Sequence, residues 1–151
     1  MRAATNRSER RMPVPFQLPD NLSPGLARVQ SYWTGLKRAG NEMPFWDDIK
    51  LSALPDLADW LLLIDVFALP ERFRFNTLGA ALAQRYGEDV KSKFLDELNL
   101  RAPFGYLRAQ CSATAEARAP TYYEAAGYAR LLLPMWGDGH IGMLLGTVDW
   151  R

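Results

Sequence analysis

Cys111 and His140 are the single cysteine and the single histidine of this 151-residue chain, so they are the first candidates for covalent or metal chemistry. A cysteine nucleophile needs a base beside it, and a zinc site needs about three protein ligands. Cys111 lies in AQCSAT, a predicted helix, whereas His140 follows a Gly-Asp-Gly turn signal. We interpret Cys111 as a buried structural thiol and His140 as a solvated turn residue, and we predict neither a metal site nor an internal disulfide.

Acidic pairs are the next candidates, because two carboxylates can act as a general acid and a general base. Asp47-Asp48 and Asp96-Glu97 are each adjacent in the chain, and adjacent residues do not share a face of a helix or strand. Asp47-Asp48 suits the beginning of a helix instead. The glycines near the C-terminus lie in a predicted hairpin and not between a strand and a helix, so they do not form a phosphate-binding loop. We therefore predict no catalytic residue.

Aromatic side chains offer a binding site rather than a reaction. Phe73 and Phe75 alternate along a predicted strand and share one of its faces. Small-molecule sites are mostly apolar with a few polar groups, and rings with hydroxyl groups fit that description. The alternative is a filled core with tyrosines at its rim. The candidate lining consists of Phe73, Phe75, Tyr86, Phe94, Tyr106 and Tyr122.

Composition excludes several classes of partner. The chain has 18 Lys and Arg against 17 Asp and Glu, a net charge of +1, which gives no electrostatic case for nucleic acid. Its longest apolar run, residues 60–69, is too short to span a membrane. The basic N-terminus lacks the apolar segment of a secretory signal. These features predict a cytoplasmic globular domain that contacts neither nucleic acid nor a membrane.

The predicted elements place these residues in one domain. Residues 1–22 read as a flexible tail, and residues 23–151 as a single domain that begins with a helix over residues 24–39. The apolar stripe of this helix is Leu26, Val29, Trp33 and Leu36. WLLLIDVFAL and RFRFNTL follow as a hairpin, then several helical segments, then three more strands with a turn at Gly-Asp-Gly. Hairpins at both ends with helices between them favour an α+β fold with an antiparallel sheet.

This order resembles the PAS domain, and the segments resemble a family of single-PAS proteins found mainly in alphaproteobacteria. The matching segments are SYWTGLKRAG, MPFWDDIKLSALPDLADWLLLIDV, RFRFNTLGAAL, RYGEDVKSKFLDEL and LLLPMWGDGHIGMLLGTVDW. The family's Gly-Thr is Gly79-Ala80 here, and its Thr-Gly is Lys91-Ser92. The resemblance implies a profilin-like sheet of five antiparallel strands, with helices arching over one face. It also implies that Gly79 permits a tight backbone turn from strand to arch.

The resemblance implies a stand-alone sensory or regulatory module that binds a small molecule or a partner protein and has no catalysis of its own. The alternative is a small enzyme of unidentified reaction that uses the same pocket. Haem-binding relatives carry a histidine on the helix over the pocket, and covalent flavin sites have an Asn-Cys-Arg context. Because His140 and Cys111 match neither pattern, we expect neither group, and the cofactor stays open. PAS relatives often pair through the N-terminal helix, so we predict a homodimer through Leu26, Val29, Trp33 and Leu36.

Overall fold

The computed structural model describes residues 15–150, which form an α+β domain with one five-stranded sheet. The strands are β1 (Leu61–Ala68), β2 (Glu71–Leu78), β3 (Thr121–Ala125), β4 (Tyr128–Gly137) and β5 (His140–Trp150). Their order in the sheet is β2-β1-β5-β4-β3, and all neighbours are antiparallel. This is the PAS arrangement, so the predicted fold class is confirmed.

The sheet contains two tight hairpins that meet in its middle, where β1 pairs with β5. Leu69 and Pro70 join β1 to β2, and Asp138 and Gly139 join β4 to β5. Gly139 has φ +80°, which a residue without Cβ adopts at little cost. Both hairpins were predicted from the sequence, because each depends on alternating residues around a local turn signal.

Helices connect the two hairpins and form the arch over the sheet. The arch contains α2 (Ala80–Tyr86), a 3₁₀ turn (Leu95–Glu97) and α3 (Leu107–Ala117). Gly79, at the entrance to the arch, has an ordinary φ of −60°. A Cβ at this position would lie 2.3 Å from the carbonyl oxygen of Asp59. The glycine is therefore required by close backbone contact, not by the tight turn that the sequence indicated.

The N-terminal helix, α1 (Pro24–Gly35), packs against β4 and β5. Leu26, Val29 and Trp33 are buried in the core of a single chain, while Leu36 is partly exposed. The helix ends four residues before the predicted Ala39. Glycine has low helix propensity, and the bond from the Leu36 N–H to the Trp33 carbonyl tightens the last turn at Gly35. The predicted homodimer stays a prediction.

Residues 15–22 contact the domain, although the sequence placed them in a flexible tail. The carbonyl of Phe16 accepts a hydrogen bond from the Tyr122 N–H at 2.8 Å. Leu18 and Leu22 pack against the core. The rest of the predicted tail, residues 1–14, lies outside the described residues.

The edge of β4 beyond β3 is covered by α1 and by the segment that follows this helix. β3 pairs with β4 only as far as Leu132. Further along, the Trp33 indole N–H donates to the Pro134 carbonyl at 2.8 Å, and the Trp136 N–H donates to the Pro44 carbonyl at 2.8 Å. Between residues 15 and 150, the helices are all too short or too polar to cross a membrane.

Candidate functional site

The centre of the arch holds a buried arginine. Arg130 lies on β4, opposite Tyr123 of β3, and its side chain is fully shielded from solvent. Its guanidinium donates to the Gln110 side-chain oxygen at 2.7 Å, to the Pro103 carbonyl at 2.8 Å and to the Gly105 carbonyl at 2.9 Å. One side chain of the sheet therefore binds both α3 and the loop that leads into it.

A network of neutral polar groups extends from this arginine. The Gln110 amide nitrogen donates to the Thr121 hydroxyl at 3.1 Å and to the Arg130 carbonyl at 3.4 Å. The hydroxyl oxygens of Thr114 and Thr121 lie 2.6 Å apart, and Thr114 also donates to the Gln110 carbonyl at 2.7 Å. All four residues are buried. Because buried polar groups are costly unless paired, this network fixes α3 against β3 and β4.

Arg130 carries a charge without an acidic partner among residues 15–150. Burial lowers its pKa, but an arginine stays protonated in proteins. The Tyr123 ring lies 4.8 Å from the guanidinium carbon and adds a cation–π contact. The arch thus encloses a cation whose described hydrogen-bond acceptors are all neutral oxygens.

The predicted pocket residues fall into two groups. Phe73, Phe75, Tyr86 and Tyr122 are buried. The rings of Phe75 and Tyr86 lie 5.2 Å and 5.1 Å from the ring of Phe104, so aromatic side chains fill this part of the arch. The structure brings these two predicted residues together through a third ring.

Phe94 and Tyr106 lie apart from that cluster. The Arg72 guanidinium covers the Phe94 ring at 3.8 Å, next to Phe67 at the surface. Tyr106 is 72% exposed and contacts the ring of Tyr123. A ligand pocket lined by the whole predicted set stays a prediction.

Arg130 and Gln110 were not among the residues predicted from the sequence. The signal for Arg130 was a lone charge inside the apolar strand YARLLLPMW, where the period of two places it on the same face as Leu132. Gln110 had no comparable signal, because a glutamine on a helix is ordinary. Its role depends on the packing of α3 over β4, which spacing alone does not reveal.

Cys111 is fully buried, as predicted, on the turn of α3 next to Gln110. Burial raises the pKa of its thiol, and the positive charge of Arg130 opposes this shift only in part. The thiol is therefore neutral near physiological pH. His140 begins β5 and is partly buried, with Nδ1 3.1 Å from the Asp138 carbonyl. Over residues 15–150, no group of three or more metal-ligating side chains comes together.

Comparison with known proteins finds no matching family model and no matching curated protein. A solved structure that matches is titled as a fungal LOV domain photoreceptor in a pathway integrating blue light and oxidative stress. It is 15% identical to this chain, with a TM-score of 0.43, and the match covers 83% of this chain and 88% of that chain. A match at this level carries no argument about function, so the class of PAS-like domain rests on strand order and the arch.

Proposed function

We propose that this protein is a PAS-like sensory or regulatory module of the alphaproteobacterial single-PAS family. In this proposal it acts in the cytoplasm, binds a small molecule or a partner protein, and has no catalysis of its own. The family assignment depends on the sequence segments described above, and the sensory role is an argument by analogy with the fold.

The observation that carries the proposal is the attachment of the arch to the sheet by Arg130. Its donors hold the loop at Pro103 and Gly105 together with α3 at Gln110. A displacement of the arch must break or rearrange these bonds, and the guanidinium moves with β4. We infer that binding at the arch alters this attachment and so reaches the sheet.

The hydrogen bonds that attach the arch to Arg130 can be displaced by a competing acceptor. Hydrogen bonds in which either partner is ionised are stronger than neutral ones, and an anionic acceptor adds the direct attraction between two opposite charges. The described acceptors of Arg130 are neutral, so a closely approaching anionic group would compete with them. A carboxylate acceptor within the protein would hold the arch more firmly and leave less room for such competition.

Hydrogen exchange of the purified protein tests the coupling through Arg130→Lys. This variant keeps the charge but loses the planar fork that reaches three acceptors. We expect faster exchange in residues 103–117 and unchanged exchange in β5. An equal increase in β5 would show that Arg130 is only a core residue and would contradict the proposal.

Mass spectrometry of the denatured protein tests whether a ligand co-purifies with it. We expect a co-purified small molecule, or a partner in the native complex, whose removal speeds exchange in residues 103–117. Turnover of that compound, abolished by one polar substitution, would overturn the proposal in favour of an enzyme.

A further inference from the structure

A second site lies at the end of the sheet, outside the arch interior. β1 begins at Leu61, opposite Thr147, so residues 148–150 of β5 extend past β1 and pair with β4. A cleft of about 300 Å³ occupies the space beside them, bordered by α1 and the 3₁₀ turn Ala58–Trp60. We propose that this cleft binds a small planar aromatic carboxylate.

Two tryptophans give the cleft its shape. The rings of Trp60 and Trp150 lie 6.3 Å apart at 65° to each other, and both are partly exposed. Leu26, Leu57 and Val148 complete the apolar lining. Flat rings set at an angle, with aliphatic side chains around them, favour a planar apolar group over a flexible polar chain.

The charge at the cleft comes from Arg85, on the last turn of α2. Its guanidinium carbon lies 4.3 Å from the Trp150 ring centroid and 5.7 Å from that of Trp60. Arg85 forms no ion pair with another residue of the described range. A guanidinium stacked on a ring keeps its in-plane N–H groups available, so Arg85 offers a fixed donor pair for one carboxylate.

One further group refines the ligand. Asp149 also lines the cleft, and its carboxylate disfavours a second negative charge. These features select an aromatic ring with a single carboxylate.

Gly25 supplies a steric test of the site. It lines the cleft from α1, and a Cβ added there would meet no heavy atom within 4 Å. Gly35 lies on the same helix, equally open, but does not line the cleft. Gly25→Leu and Gly35→Leu are therefore a matched pair, since both replace an unhindered helical glycine and one of them fills the cleft.

The experiment is a calorimetric titration of the native full chain with indole-3-acetate and with its neutral amide, indole-3-acetamide. We expect the carboxylate to bind about tenfold more tightly than the amide because of its charge-assisted bond to Arg85. Arg85→Gln should remove this preference. Gly25→Leu should weaken binding of both compounds, while Gly35→Leu should leave both affinities unchanged.

Three outcomes would overturn the proposal: no saturable binding at millimolar concentration, equal effects of the two glycine variants, or an unchanged carboxylate preference in Arg85→Gln. A melting curve for each variant verifies that it is folded. If Gly25→Leu does not fold, Gly25→Ala takes its place, because alanine fills less of the cleft. The site does not depend on the Arg130 attachment. Failure here therefore leaves the hydrogen-exchange result, and the proposed function, untouched.

Discussion

At the residue scale, Ser92 has a backbone conformation that favours glycine. It occupies the position where the resembling family carries glycine, and its φ is +73°, in the left-handed region. An L-residue pays roughly 1–2 kcal/mol for this conformation, whereas glycine adopts it freely. The position is held by two bonds to Phe75 of β2, since the Ser92 N–H donates to the Phe75 carbonyl at 2.7 Å and the Phe75 N–H donates to the Lys93 carbonyl at 2.9 Å.

We predict that Ser92→Gly raises the free energy of unfolding by about 0.5–1 kcal/mol. The relief of backbone strain exceeds the entropy that a glycine adds to the unfolded chain, which is roughly 0.4–1 kcal/mol. Urea unfolding measures the change. Ser31→Gly is the control, because Ser31 has an ordinary helical conformation in α1 and its replacement should destabilise the protein. A loss of stability in both variants would contradict the prediction.

The environment of a single residue was predictable where it depends on neighbours that are close in the sequence. A lone cysteine on a predicted helix, with no base near it in the sequence, indicated a buried structural thiol, and Cys111 is buried. Arg130 was not predictable as the centre of the arch, because its acceptors come from a loop and a helix about 20 to 27 positions earlier in the chain. Local spacing carries no information about such partners.

At the scale of elements, an ion pair attaches the 3₁₀ turn Leu95–Glu97 to β2. Arg72 donates two hydrogen bonds of 2.8 Å to Asp96. The hydrogen bond from Arg72 holds the pKa of Asp96 below its usual value, although desolvation opposes the shift. A carboxyl whose pKa is lower in the folded state stabilises the protein above its unfolded pKa of about 3.9, and this contribution is lost as the pH falls.

We therefore predict that Asp96→Asn lowers the melting temperature at pH 7 and that this difference disappears as the pH falls through the lowered pKa of Asp96. Melting curves of both proteins from pH 7 to pH 2 measure the effect. Asp59→Asn is the control for the loss of one exposed carboxylate, since Asp59 has no ion pair in the described range. A difference that persists unchanged at pH 2 would show that Asp96 acts through something other than its charge.

The predicted secondary-structure elements agree best with the structure where turn and strand signals lie close together in the sequence. Both hairpins formed as their turn residues indicated. The role of Gly79 was misjudged, because the backbone that excludes a Cβ belongs to Asp59, twenty positions earlier. The end of α1 was also placed too late, since Lys37 to Ala39 continue a plausible helical pattern beyond Gly35.

Oligomeric state is a property of the whole molecule, and substitutions at Trp33 test the homodimer predicted to form through the apolar stripe of α1. Because Trp33 is 3% exposed and its indole donates to Pro134, we predict that Trp33→Ala lowers the free energy of unfolding by about 3–5 kcal/mol. We expect no change in oligomeric state. Urea unfolding and sedimentation velocity over a range of concentrations measure the two properties.

If the alanine variant does not fold, Trp33→Phe is used instead, because it keeps an aromatic ring in the core but loses the hydrogen bond to Pro134. We expect this variant to retain most of the free energy of unfolding. A dimeric wild type that dissociates in either variant without loss of stability would show that Trp33 lies in an interface between subunits. A dimer that both variants retain would show that its contact does not depend on Trp33.

The covered edge of β4 has a consequence for aggregation. An unpaired strand edge can recruit a strand from another molecule and start a fibril. Beyond Leu132, Pro134 has no N–H to offer and its carbonyl is occupied by Trp33, while the N–H of Trp136 is occupied by Pro44. The tryptophan that anchors α1 thus also protects this edge, so a protein that loses α1 exposes an apolar strand ready to template its own misassembly.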